Sequence, residues 1–306
     1  MEFRHDFFLK VAAIGKHPEI EISEDDYCGI TEARRTLTAA LNIEEKYDLV
    51  IGNFLDLEKE LLMLTVEKIV DHRFDYDRAY TVTSSLDRRI INFVLSAKNY
   101  TELISSKASK CVKNTTEVKE AVEKLTNEQY EKSSDYRFME ALRNHLTHYG
   151  DAVHLVNNPD RWLTDENKEA THLVFNLSIY ALKDRLAENS KFKPAVLNEI
   201  QDKVDLKKAA RSYIGAISTI QEEVRKIIKD SVHEARSLIE FHLEKYANEN
   251  DGRSFAVGAY SAAEHRDGKK PIMLLLNWDD VRIGLQEKNQ SITNMDKRYI
   301  SSSITP

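Results

Sequence analysis

One short segment gathers the residues whose chemistry could be turned on a substrate. Tyr136-Arg137-Phe138-Met139-Glu140-Ala141-Leu142-Arg143-Asn144-His145-Leu146-Thr147-His148-Tyr149-Gly150 carries Arg143 and, after four intervening positions, His148. On a helix, five steps set these two residues about 140° apart and about 7.5 Å along the axis. The long Arg143 side chain must therefore reach round to share a site with His148. Asn144 and His148 are one turn apart on a single face, where an amide can fix the tautomer that an imidazole presents. An imidazole beside a guanidinium is what phosphodiester cleavage of RNA uses. The imidazole moves a proton from the 2′-hydroxyl or to the leaving 5′-oxygen, and the guanidinium offsets charge growing on the phosphate oxygens. That reaction needs no metal.

Arg143-Asn144-His145-Leu146-Thr147-His148, an Arg and a polar residue followed at short spacing by His, resembles the signature of the HEPN family (higher eukaryotes and prokaryotes nucleotide-binding domains). The resemblance spans residues 44–190 by helix order, and its motif lies within about ten positions. It implies an antiparallel helical bundle, often dimeric, and in many members a metal-independent endoribonuclease of the toxin or defence type. Carried onto this chain, Arg143, Asn144 and His148 would be catalytic. Candidate substrate contacts are His145, Tyr149, Arg88 and Arg89. The expected partners are RNA, a second copy of the chain and a neutralising protein, with no cofactor and no metal. The different-class alternatives are a non-catalytic helical interaction module and a nucleotide-binding regulator using the same groove.

Spacing alone is a weak signal, because the chain holds a second instance in Arg236-Ser237-Leu238-Ile239-Glu240-Phe241-His242. There Ser follows the Arg, and Ile239 and His242 belong to the apolar stripe of an uninterrupted amphipathic helix. This pair reads as structural. A metal centre could be drawn from His145, His148, His154 and Asp151, but the His-x-x-x-His spacing with an intervening Glu is absent. His145 otherwise reads as a solvent-facing helix residue. Two basic stretches, Lys203, Lys207, Lys208 and Arg211, then Arg225, Lys226 and Lys229, read as solvated helix faces balanced by Glu222, Glu223 and Asp230. No Walker loop, Gly-rich dinucleotide turn, nucleophile elbow or Cys-x-x-Cys occurs, so NTPase, dehydrogenase and serine-hydrolase readings have no support.

The elements that must position the motif are mostly helical. Apolar residues recur at threes and fours over 44–70 (Tyr47, Val50, Phe54, Leu57, Leu61) and over 77–106 (Leu86, Ile90, Phe93, Val94, Ala97, Tyr100). A strand over 19–22 and a helix over 31–41 are predicted before them. A shorter helix follows over 115–124. Ser133 or Ser134 caps a helix over 135–149, which Gly150 closes in a left-handed conformation. Residues 153–162 read as a loop, and Thr164 caps a further helix over 165–188 with acidic residues in its first turn. After Pro194 a long helical tract reaches 248. Residues 254–260 and 271–278, joined through Asp267-Gly268, predict a terminal β-hairpin, followed by a loose tail. The chain thus divides into an N-terminal extension (1–43), the bundle (44–190), a helical extension (191–250), and a hairpin with tail (251–306).

Composition agrees with a mostly α class. Nine Gly and five Pro in 306 residues are too few for the turns of an all-β sandwich or propeller. Forty-four Lys and Arg against 51 Asp and Glu give a net charge of −7, which excludes a globally basic nucleic-acid-binding surface but not a local patch. Two cysteines, Cys28 and Cys111, make no disulfide framework. No apolar run has the length of a membrane span, and the first residues lack the order of a secretory signal. A cytoplasmic protein is expected.

Overall fold

The computed structural model describes residues 4–71, 75–290, 292, 294–298 and 300. Its elements are, in chain order, β1 (Phe7–Val11), β2 (Ile20–Glu21), α1 (Glu24–Glu67), α2 (Tyr76–Ala108), α3 (Thr115–Lys132), α4 (Ser134–His148), β3 (Leu155–Asn157), β4 (Arg161–Thr164), β5 (Ala170–Val174), β6 (Ser178–Leu182), α5 (Lys183–Ala187), α6 (Pro194–Glu199), β7 (Lys203–Asp205), α7 (Leu206–Asn248), β8 (Val257–Ser261), α8 (Ala262–Arg266), β9 (Ile272–Met273) and α9 (Asn277–Lys288). The class is mostly α, dominated by α1, α2 and α7. No described helix is long and apolar enough to cross a membrane.

Two compact units divide the chain. The first takes Met1–Glu45, Ile104–Ala121 and Glu223–Gln290; the second takes Lys46–Leu103, Val122–Glu222 and Ser291–Pro306. In the first, an antiparallel sheet runs in the order β2-β1-β8-β9. Phe8 lies opposite Tyr260, and their rings stack at 5.0 Å. Phe8 and Leu9 of β1 and Val257 and Ala259 of β8 are wholly buried. A capping box starts α1: Ser23 Oγ accepts the Asp26 N–H at 3.0 Å, and the Asp26 carboxylate accepts the Ser23 N–H at 3.1 Å. Carboxylates clamp the cations here. Glu44 takes Arg225 at 2.6 Å, and the buried Asp279 takes Arg236 at 2.8 Å and Arg282 at 2.6 Å.

In the second unit, ring and ion contacts give the helix directions. Along α1, Tyr47, Phe54 and Glu60 meet Tyr100, Phe93 and Arg89 of α2, so the partner number falls as the α1 number rises and the two helices are antiparallel. Phe93 also meets Tyr213 of α7 edge-on at 5.9 Å, and Tyr213 lies 4.9 Å from Tyr136 of α4. Phe54, Phe93 and Tyr100 are buried as the periodicity predicts. Two small sheets complete the unit, β3-β6-β7 and the hairpin β4-β5.

Several predicted boundaries are corrected. Residue 43 begins nothing, because the stripe Leu37, Ala40, Ile43, Tyr47, Val50 runs unbroken through α1. The helix predicted over 165–188 is instead β5, β6 and the short α5. Asp165 does not open a helix: its side chain accepts the N–H groups of Asn167 and Glu169, both at 2.9 Å, and Lys168 takes φ 65°, so the acidic run is a hairpin turn. The predicted loop over 153–162 holds β3 and the start of β4. Beyond Pro194 the tract is interrupted by β7, which pairs with β6, and Asp205 then caps α7 through the N–H groups of Lys207 and Lys208. Lys203 is therefore on a strand. The terminal strand pair exists, with Gly258 opposite Met273, but α8 sits within its connection and α9 replaces the predicted strand end at Trp278. The main partner of β8 is β1. Of the predicted tail, residues 301–306 lie outside the described residues.

Candidate functional site

The motif helix α4 is positioned at its start and along its apolar face. Ser133 stands in extended conformation and accepts the Tyr136 N–H at 3.1 Å, as predicted. Tyr136, Phe138, Met139, Ala141, Leu142 and His145 are buried. Arg137 reaches back to Glu199 at 2.9 Å and donates to the Tyr130 and Glu131 carbonyls. The helix ends at His148, where the Tyr149 and Gly150 N–H groups both donate to the His145 carbonyl, at 2.8 and 3.3 Å. Gly150 does not adopt the predicted left-handed closure; Tyr149, at φ −136°, leaves the helix instead.

A carboxylate of α2 holds the loop that follows. Asp87 Oδ1 accepts the N–H groups of Ala152 at 2.8 Å and Val153 at 2.9 Å, and all three residues are buried. Burial pushes the Asp87 carboxyl up to about 6, against the two N–H bonds and with the Asp151 charge adding to the rise. The same turn of α2 carries Arg88, exposed, and Arg89, which is committed to Glu60 at 3.2 Å.

His145 is not solvent-facing. It is 2% exposed and sits at the centre of a ring cluster with His154 at 6.3 Å, Phe192 at 6.0 Å and Tyr149 at 5.2 Å. Its Nδ1 faces the Asn189 amide at 3.1 Å. Asn189 Oδ1 accepts the Lys191 N–H, so the amide's NH2 group is the one turned to His145. His154 Nδ1 accepts the Leu182 N–H at 2.9 Å. Both rings therefore carry their proton on Nε2 and are neutral. Burial holds both below the ordinary imidazole value; His145 is lowered further because a second imidazolium charge beside His154 would be repelled, and His154 is lowered further by the Arg185 charge. A hydrogen bond to the Asp151 backbone opposes the shift in both. No group of three such ligands occurs among the described residues, so the metal set of His145, His148, His154 and Asp151 is not assembled there.

The three residues expected to be catalytic differ in setting. Asn144 and His148 are exposed, and Arg143 is half-buried. No hydrogen bond joins the three among the described residues. Arg143 Nε is enclosed without a partner, and the guanidinium has no carboxylate within ion-pair distance among the described residues. Glu140, one turn back, is already taken by the Tyr213 hydroxyl at 2.6 Å and by Lys98 at 3.6 Å. The other half-buried arginines described in this unit are all paired: Arg78 with Glu67, Arg89 with Glu60, Arg137 with Glu199 and Arg211 with Glu58. Tyr149 is 54% exposed and donates its hydroxyl to the Glu188 carbonyl at 3.0 Å. The second Arg/His pair lies in the first unit. Arg236 is spent on Asp279, Asp280 and Glu240, and His242 is fully buried.

Sequence reasoning missed Asp87, Asn189 and the Glu140–Tyr213 bond. Asp87 left a trace, being a carboxylate beside Leu86 and Ile90 on a buried stripe; Asn189 left none. No family model matches this chain, and no curated protein or solved structure is significantly similar to it.

Proposed function

We propose that the chain is a cytoplasmic, metal-independent endoribonuclease that cleaves RNA by transesterification at Arg143 and His148. One observation carries the reading: among the described residues of its unit, Arg143 is the half-buried arginine left without a carboxylate, on the helix whose last turn leaves His148 exposed. A guanidinium without an internal counter-ion is available to an external anion. In the reaction a base removes the 2′-hydroxyl proton, the 2′-oxygen bonds to phosphorus, and the bond to the 5′-oxygen breaks as that oxygen gains a proton. The products are a 2′,3′-cyclic phosphate and a 5′-hydroxyl. His148 carries the proton transfer, Arg143 offsets charge on the non-bridging oxygens, and Asn144 orients the imidazole once substrate is bound. Two protons move and one copy supplies one exposed motif imidazole. A two-fold dimer sharing one cleft supplies the second. Such a cleft is also what a neutralising protein would cover. The free thiols Cys28 and Cys111 suit a reducing cytosol.

The test is cleavage of a labelled single-stranded RNA by purified protein in EDTA, with the product ends identified. Cyclic phosphate ends are expected, with His148→Ala inactive and Arg143→Ala slowed by about 10²-fold or more. Cleavage that requires added metal and is lost equally in His145→Ala and His154→Ala would overturn the reading. A second reading, a binding module, is favoured by an open cavity of about 510 Å³ in the second unit, lined by Leu61, Leu62, Val66, Ile69, Leu173 and Phe175. Absence of cleavage on every RNA tried would favour it.

A further inference from the structure

The first unit contains a pocket of about 380 Å³ whose walls carry cations and no carboxylate. Thr31, Arg34, Arg35, Thr38 and Asn42 form one face of α1 at three- and four-residue spacing, and Lys107 and Lys110 face them from the end of α2 and the turn after it. The volume lies in the range of small-ligand sites, about 300–1,000 Å³.

The charges in this pocket are poorly matched from within. Arg34 donates to the Met273 carbonyl and lies 5.2 Å over the Trp278 ring, with no carboxylate partner among the described residues. Arg225, Arg236 and Arg282, the other arginines of this unit removed from solvent, each hold one. Lys107 meets only Asn42 Oδ1, at 3.4 Å, and Lys110 has no hydrogen-bond or ion-pair partner among the described residues. Arg35 has Glu32 at 2.5 Å, but that pair is exposed on both sides and contributes little. Four formal positive charges thus meet at one concavity of a chain whose net charge is −7.

The neutral donors are already spent. Thr31 donates to the Tyr27 carbonyl, Thr38 to the Arg34 carbonyl and Asn42 to the Thr38 carbonyl. Recognition here falls to charge, and four cations match a multiply charged anion better than a single carboxylate.

We infer that this pocket binds the phosphates of a phosphate-bearing ligand. The inference does not depend on the ribonuclease reading, since none of its residues belongs to the Arg143/His148 site. The phosphates could belong to a nucleic-acid backbone or to a small phosphorylated molecule, and two probes separate these sources. Inorganic pyrophosphate is titrated calorimetrically into the full chain, and a fluorescent 2′-O-methyl RNA 12-mer, which lacks the nucleophile for cleavage, is followed by anisotropy. Lys107→Gln/Lys110→Gln is expected to weaken whichever probe binds by about tenfold and to flatten its salt dependence. Pyrophosphate that displaces the RNA identifies a backbone site; pyrophosphate bound without RNA identifies a small ligand. Arg35→Gln, at an exposed helix position, serves as the variant if the double substitution disturbs folding, with the same direction expected. Failure of both probes to bind wild-type protein, or binding indifferent to these substitutions, overturns the inference.

Discussion

Removing the Asp87 side chain tests how the loop after the motif helix is held. In Asp87→Ala the buried N–H groups of Ala152 and Val153 lose the acceptor they share, one oxygen that served both. Each orphaned buried donor costs about 1–3 kcal/mol, so two cost about 2–6 kcal/mol; water entering the vacated space returns part, leaving about 2–4 kcal/mol. Asp87→Asn keeps a carbonyl oxygen in place and is expected to cost about 1 kcal/mol or less. The pH dependence has a definite sign. Because the folded carboxyl is raised to about 6, the stability it contributes is complete below the ordinary carboxylate value and is lost as pH rises through about 6. Asp87→Asn, which cannot ionise, should therefore gain on wild type between pH 4 and 7. Hydrogen exchange at amides 152 and 153, with urea unfolding followed by circular dichroism, reads both effects. Wild-type protection of those amides in Asp87→Ala, or equal damage from the Ala and Asn variants, would refute the reasoning.

Three further outcomes are expected. His145 and His154 are held neutral by N–H donors at Nδ1, so their lowered folded values mean stability present above about pH 6.5 and lost as pH falls below it. His154→Asn, which keeps an acceptor for the Leu182 N–H, should reduce that acid sensitivity in melting curves between pH 7 and 5. Arg236→Ala should leave RNA cleavage intact while lowering stability by about 2–4 kcal/mol, because the buried Asp279 is left with Arg282 alone; unchanged unfolding with lost cleavage would reverse the assignment of the two Arg/His pairs. Light scattering at micromolar concentration should give a dimer, and a monomer that still cleaves RNA would remove the shared-cleft requirement.

The long helices were legible because their cores are periodic. The stripes through Tyr47, Phe54, Phe93 and Tyr100 recur at helical spacing, and those side chains are buried. The region over 153–205 was not legible, and the reason is local. Asp165, Glu166 and Glu169 resemble an acidic first turn, yet Asp165 spends one carboxylate oxygen, Oδ1, on both N–H groups of a hairpin turn. β7 is three residues long and exists through its pairing with Ala181, sequence-distant from it. Short strands of this kind draw their stability from partners rather than from propensity.

The site was legible as a list of residues but not as an arrangement. Arg143, His145 and His148 fall within six positions and look equivalent in sequence; what separates them comes from elsewhere in the chain. His145 is drawn inward because Asn189, fixed by the Lys191 N–H, offers its Nδ1 a donor and Phe192 walls the ring. Arg143 has no carboxylate partner among the described residues, and Glu140, one turn back, is held by Tyr213 and Lys98. His148 stays outside because the chain leaves the helix at Tyr149, and Asp87 then takes the loop at Ala152 and Val153. None of Asn189, Tyr213, Lys98 or Asp87 can be inferred from the motif. The same three side chains on another bundle would carry other roles, so spacing nominates an Arg/His site, and the claims of distant partners on the neighbouring residues decide which members remain free to meet a phosphate.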